Sequence, residues 1–115
     1  MTASQFRKMA LSLPEVEERG HMQHPDFRVG GKIFATLGYP GEKWGMVKLT
    51  AEQQRNYVPA HPGVFVPAPG AWGLKGSTLV LLKAADAEAV QEAMEAAWLA
   101  KASKKLAEGF RTGGA

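Results

Sequence analysis

The sequence predicts an α+β fold, a two-layer sandwich in which an antiparallel β-sheet carries helices on one face, in the order α-β-β-β-α-β-β-α. Apolar residues recur with helical spacing at both ends of the chain, whereas short β runs broken by glycine and proline fill the middle. Helices combined with antiparallel strands pack as two layers. The 115 residues suit one domain, which we place at 1–108, followed by a flexible tail over 109–115.

Capping boxes mark the starts of the first two helices. Thr2 with Gln5, and Thr50 with Gln53, place a hydroxyl three residues before an amide, so that each side chain can satisfy a free backbone donor at the helix start. Pro59 is expected to end the second helix before residue 58, because the residue preceding a proline is driven out of helical geometry.

Two features predict the strands. The Gly30-Gly31 pair lies between β runs and suits a tight hairpin, where a positive φ costs glycine little. Alternation after this turn predicts Ile33, Ala35 and Leu37 on one face. The apolar run over 77–82 predicts a central strand that is covered on both faces.

The segment from Pro67 to Gly76 is predicted to be a long loop, since it holds two prolines and three glycines. It carries an aromatic side chain, Trp72, and a cation, Lys75. Asp86 then provides an N-cap for the last helix, because its carboxylate can accept a bond from a free backbone N–H.

Positive charge is concentrated in the middle of the chain. The net charge is +3 overall. Residues 19–83 hold eight basic and three acidic side chains, an excess of five positive charges. A segregated excess attracts polyanions. The alternative interpretation is a solvated surface that keeps the protein soluble.

Composition and motifs exclude several classes. Without cysteine there are no disulfides or thiolate sites. No nucleophile elbow, Walker loop or dinucleotide fingerprint is present, so we expect neither an enzyme nor a cofactor. No apolar run approaches the ~20 residues of a membrane helix and no signal peptide is apparent, so we expect a cytoplasmic protein without membrane contact.

A metal site is not expected either. His21 and His24 stand three apart with Asp26 nearby, but residues at that offset in a β run point to opposite faces. His61 is the remaining histidine, whereas a zinc site needs more ligands in compatible geometry. An iron role would require an acidic ridge, and the few glutamates between residues 15 and 18 do not form one.

Four segments together resemble the MmcQ/YjbR family (DUF419-type). They are HPDFRVGGKIFATL (24–37), VKLTAEQQ (47–54), HPGVFVPAPGAWG (61–73) and the late Ala97-Trp98 pair, and the similarity extends from about Phe6 to Leu106. The resemblance implies an α+β fold similar to CyaY and to secretion chaperones. It also implies DNA binding through a double-wing motif.

This chain departs from the family pattern in two places. Leu74-Lys75-Gly76-Ser77 stands where the resemblance implies a basic, aromatic stretch after the Trp-Gly pair. Ala102 to Leu106 lacks the proline expected before the basic pair. The first departure reduces the charge and the number of rings that the loop over 67–76 offers to a nucleic acid.

The candidate function is therefore weak, largely sequence-independent binding of double-stranded DNA through basic hairpin wings. Cations would meet phosphates and an aromatic ring would stack on bases. The candidate residues are Arg28, Lys32, Lys43, Lys48, Trp72 and Lys75. Arg28 and Lys32 are expected to project together from the tip of the Gly30-Gly31 hairpin.

Two alternatives remain open. In the first, Trp72 packs over the core and the exposed cations serve only as a solvated surface. The second functional class is a non-enzymatic module that uses the open sheet face or its edge to hold an unknown protein partner, a peptide or a small ligand.

Overall fold

The protein, described over residues 1–21 and 24–113 in a computed structural model, contains six strands and five α-helices within these ranges. The strands are β1 (Val16–His21), β2 (His24–Val29), β3 (Lys32–Leu37), β4 (Trp44–Lys48), β5 (Phe65–Pro67) and β6 (Ser77–Leu81). The α-helices are α1 (Ala3–Leu11), α2 (Ala51–Ala60), α3 (Gly70–Leu74), α4 (Ala87–Lys101) and α5 (Lys104–Gly113). No helix in the described ranges has the length and hydrophobicity of a membrane span.

The strands form one antiparallel sheet in the order β1-β2-β3-β4-β6-β5. This arrangement confirms the predicted α+β class and places β6 inside the sheet, as the apolar run over 77–82 indicated. Its residues 77–80 are buried. The main core lies on one face of the sheet, where α1 and α4 contribute Phe6 and Trp98 to the same cluster as Val47 and Val80, all four fully buried.

Local signals predicted the starts of α1, α2 and α4. Both capping boxes form: Gln5 N donates to Thr2 Oγ1 over 3.1 Å and Gln53 N to Thr50 Oγ1 over 3.1 Å. Asp86 occupies the N-cap position of α4, but its side chain makes no cap hydrogen bond.

The second helix does not stop before residue 58. It runs through Pro59 to Ala60. Proline there falls one residue before the helix ends, where the missing N–H removes little of the hydrogen-bond ladder. His61 N, just beyond it, still donates to the Tyr57 carbonyl.

The Gly30-Gly31 hairpin forms as predicted, with φ of +57° and +78°, the positive values that only glycine adopts freely. The alternation expected beyond it holds for Ala35 and Leu37, which are both in the core, but is wrong for Ile33. A β-bulge shifts the register between Phe27 and Arg28, so that Phe34 and Ala35 are both buried in the core. Ile33 therefore faces the other side of the sheet. The extra residue at a bulge shifts the alternation by one, so each earlier residue of the strand points to the opposite face of the sheet.

Two helices replace predicted irregular segments. α3 lies within the loop expected over 67–76, and α5 covers residues 109–113, which were expected to belong to a flexible tail. The cause of the second difference is packing, since the Phe110 ring lies 4.9 Å from the fully buried Trp98 ring. Residues 114 and 115 of the expected tail lie outside the described residues.

Candidate functional site

The sheet face opposite the main core, here called the open face, carries alternate residues of β4 and β6. The register pairs Met46 with Leu79 and Lys48 with Ser77, and paired residues of neighbouring strands share a face. The intervening Val47, and Val80 of β6, point into the core. The open face therefore presents apolar side chains in the middle of the sheet and a lysine at the end of β4.

The segment around α3 lies against this open face rather than with the other helices. Ala68 packs on Met46 and Leu79, and its N–H donates to the Ser77 carbonyl over 2.9 Å. Gly73 allows the close approach, because a Cβ there would overlap the Ala68 carbonyl oxygen. Trp72, one residue earlier, remains 66% exposed. The alternative that Trp72 packs over the core does not hold.

A buried glutamine holds α3 in place. The Gln54 amide nitrogen donates to the Gly73 carbonyl over 2.9 Å, to the Ser77 carbonyl over 3.0 Å and to Thr78 Oγ1 over 3.2 Å. Buried amides are stable only when hydrogen-bonded, so this contact links α2 to both ends of the turn that follows α3. Gln54 thereby positions the segment that carries Trp72 and Lys75.

Beside α3 lies a surface recess of about 260 Å³, here called the lysine pocket. Its lining residues are Lys48, Leu49, Trp72, Lys75, Ser77 and Lys101. The three lysines come from β4, from the turn after α3 and from the last turn of α4. None of these lysines forms an ion pair within the described part of the chain. The lining holds no acidic residue, so the pocket has an uncompensated positive charge.

Burial and the nearby Lys101 both affect the pKa of Lys48. Partial burial lowers the pKa of the Lys48 ammonium, and the positive charge of Lys101 lowers this pKa further. Both causes disfavour the charged form. An anion bound in the pocket would relieve the repulsion and favour the charged lysine.

A second recess on the open face, here called the open-face cavity, has a volume of about 230 Å³. Its floor is apolar and includes Ile33, Met46 and Leu79, with Trp72 and Tyr39 at its sides. The polar lining residues are His24, Asp26, Thr36 and Ser77. Trp72 and Ser77 line this cavity as well as the lysine pocket, so the two recesses adjoin.

The structure brings three of the six predicted site residues together, namely Lys48, Trp72 and Lys75. Lys43 lies apart from them. It precedes β4 at the end opposite Lys48, and five residues of strand span about 16 Å. The six candidate residues therefore do not form one continuous surface.

The two hairpin cations do not project together. Arg28 pairs with Ile33, which lines the open-face cavity, whereas Lys32 pairs with Val29, whose side chain is in the core. Paired residues share a face, so Lys32 and Arg28 lie on opposite faces. The expectation that both cations project from one wing is wrong. Lys32 pairs with Val29 rather than with Arg28, and neighbouring residues of a strand point to opposite faces.

Arg28 is moreover compensated by a carboxylate. Its Nε and Nη2 donate to the two oxygens of Asp26 over 2.8 and 3.2 Å. These hydrogen bonds raise the pKa of the Arg28 guanidinium, and the negative charges of Asp26 and Glu17 act in the same direction. The pair leaves Arg28 little free charge for a phosphate.

Lys101 is the member of the pocket that sequence reasoning missed. It follows the apolar stripe of α4, and a lysine in a last helical turn is explained by the helix dipole alone. Only the crossing of α4 over the sheet, which puts the helix end beside Lys48, gives it a second role. No local pattern signals that proximity.

Within residues 1–21 and 24–113, no group of three or more histidine, aspartate or glutamate side chains is arranged to hold an ion. His24 lines the open-face cavity, whereas His61 packs 6.4 Å from the Tyr57 ring. The side chain of His21 lies outside the described residues.

The fold and the site define a class: an antiparallel α+β sandwich whose open face carries a cationic pocket next to an exposed tryptophan. Residues 11–100 match the family model YjbR, which covers more than half of the chain. The chain belongs to the YjbR family.

A solved structure supports the same fold. The chain is similar to the crystal structure of the Deinococcus radiodurans protein DR2400, which has a DUF419 family-model domain. The TM-score is 0.75 at 20% sequence identity, over 97% of this chain and 86% of that one. At this identity the likeness shows the fold alone. No curated protein is similar enough to count as a match.

Proposed function

We propose that the protein binds DNA at the open face, weakly and largely without regard to sequence, as a non-enzymatic module. The convergence of Lys48, Lys75 and Lys101 around the exposed Trp72 is the observation that carries the proposal. Uncompensated lysines bind phosphates, and an exposed indole offers a stacking surface to any base. Neither contact reads a base edge, so we expect little sequence preference.

The resemblance to the MmcQ/YjbR family led to the same class of ligand through hairpin wings. In this chain the β2–β3 hairpin contributes Lys32 at its exposed tip, at the same end of the sheet as Lys48. Its side chain lies on the core side of the sheet, however, away from the open face, so the lysine pocket rather than the hairpin carries the proposed contact with DNA. The net charge of +3 assists the approach of a polyanion.

Salt dependence tests the proposal directly. We expect the affinity for a labelled DNA oligonucleotide, measured by fluorescence anisotropy, to fall with salt at a logarithmic slope of about −2 to −3. That slope corresponds to three lysine–phosphate contacts at about 0.7–0.9 each. Lys75→Gln should weaken binding and reduce the slope by about 1, since it removes one contact.

Lys43→Gln is the matched control, because it removes the same charge at the other end of β4 and should leave the slope unchanged. Equal effects of the two substitutions would show that the protein binds through its overall charge rather than through the pocket. Absence of binding to any DNA at low salt would overturn the proposal and favour the alternative module, which holds a protein partner.

A further inference from the structure

We infer that the open-face cavity receives one unpaired nucleobase, which stacks on Trp72 while the adjoining phosphate lies in the lysine pocket. This inference rests on the proposed function and specifies its substrate as single-stranded DNA. It starts from the position of Trp72, which lines both recesses. A nucleotide combines a flat ring that suits the open-face cavity with an anion that suits the lysine pocket, joined through one sugar.

The chemistry of the cavity suits a base. Met46 and Leu79 give it an apolar floor, and a thioether makes favourable contacts with aromatic rings. The hydroxyls of Thr36 and Ser77 line it and have no hydrogen-bond partner among the described residues. They can serve both the donors and the acceptors on the edge of a base. Such adaptable groups permit binding without strong discrimination among bases.

The size and charge of the cavity further restrict the kind of ligand that it can hold. About 230 Å³ is below the ~300–1,000 Å³ of sites for drug-sized ligands, so one base fits better than a larger molecule. The carboxylate of Asp26 lines the cavity and would repel a phosphate if its charge were free. Arg28, however, donates hydrogen bonds to both of its oxygens. The cavity therefore does not oppose an anionic strand that crosses its edge.

A paired base cannot reach this site. Within a duplex each base is stacked on both faces and bonded along its edge, and entry into a recess beside α3 would require it to leave the stack. A single strand offers its bases without that cost. We therefore expect single strands to bind more tightly than duplexes of the same length, which replaces the duplex preference expected from sequence.

Anisotropy titrations with three probes test the inference: a thymidine strand of about 12 nucleotides, an abasic strand of the same length, and a duplex. The abasic strand keeps the phosphates and lacks the bases. Stacking of one base corresponds to a gain of at least about fivefold, so the wild-type protein should bind the thymidine strand that much more tightly than the abasic strand.

Two variants locate the effect. Trp72→Ala removes the stacking surface and Thr36→Phe fills the cavity, and both should lower thymidine-strand affinity to the abasic level without changing abasic-strand binding. Leu74→Ala is the matched control, because Leu74 is on the same short helix, is 82% exposed and lines neither recess. Its affinity for each probe should equal that of the wild type.

Equal binding of the thymidine and abasic strands, still sensitive to salt, would overturn the inference and leave the proposed function standing. Tighter binding of the duplex than of the thymidine strand would also overturn it. Failure to bind any of the three probes at low salt would overturn both the inference and the proposed function.

Discussion

Gln54→Glu is expected to lower the free energy of unfolding by about 3–4 kcal/mol at pH 7, the largest effect on stability proposed here. The substituted carboxylate would face the Gly73 and Ser77 carbonyl oxygens, which now accept bonds from the Gln54 amide. An ionised carboxylate has no proton to donate, so the buried side chain must become protonated. Protonation above a reference pKa of ~4.3 costs about 1.4 kcal/mol per pH unit.

The stability of this variant should depend on pH in a defined direction. Because the folded protein raises the pKa of the new carboxyl above its unfolded value, the folded state binds more protons between the two pKa values. Relative to the wild type, the free energy of unfolding is then unchanged below about pH 4, falls as the pH rises from the unfolded to the folded pKa, and levels off above the folded pKa. Urea denaturation at several pH values between about 4 and 8 measures this slope.

Gln91→Glu is the matched control, since Gln91 is exposed on α4. It should show no loss comparable to that of Gln54→Glu and no added pH dependence. If Gln54→Glu unfolded at the same urea concentration as Gln91→Glu at pH 7, the amide of Gln54 would not hold α3 in place. The positions of Trp72 and Lys75 would then need another explanation.

The largest effect on binding is expected from the double variant Lys75→Glu with Lys101→Glu. It removes two of the three lysines that line the pocket and places carboxylates beside Lys48. Charge-assisted hydrogen bonds contribute about 1.5–3 kcal/mol each, so the affinity for single-stranded DNA should fall at least about a hundredfold. Anisotropy at low salt measures the loss.

The double variant Lys32→Glu with Lys43→Glu makes this test specific. Each reversal changes the charge by two, so both double variants lower the net charge from +3 to −1. General repulsion is therefore equal, and only the position of the change differs. A loss as large in the Lys32 and Lys43 variant as in the Lys75 and Lys101 variant would contradict the assignment of the lysine pocket.

The elements that could be predicted from the sequence are those stabilised by contacts between residues close together along the chain. The box of Thr2 and Gln5 and the Gly30-Gly31 hairpin involve contacts within three residues, and both formed. The bulge at Phe34 and the extension of α5 did not follow from local pattern. Each is stabilised by core contacts with distant residues, as the packing of Phe110 on Trp98 illustrates.

The candidate site divides in the same way. Residue type and turn position selected Lys48, Trp72 and Lys75, which the fold brings together. Charge counting could not show that Asp26 compensates Arg28, because that depends on which face each strand residue takes. Lys101 was missed since its role arises from a helix end that meets the sheet far away in sequence.

Mapping of the bound strand by NMR tests the central claim most directly. In a titration of isotopically labelled protein with the thymidine strand, we expect the largest amide and indole shifts to cluster at Lys48, Trp72, Lys75 and Lys101, together with residues of the open-face cavity. Shifts concentrated at the turn before Lys43, or on the helical face of α4 and α5, with the Trp72 indole unmoved, would contradict it.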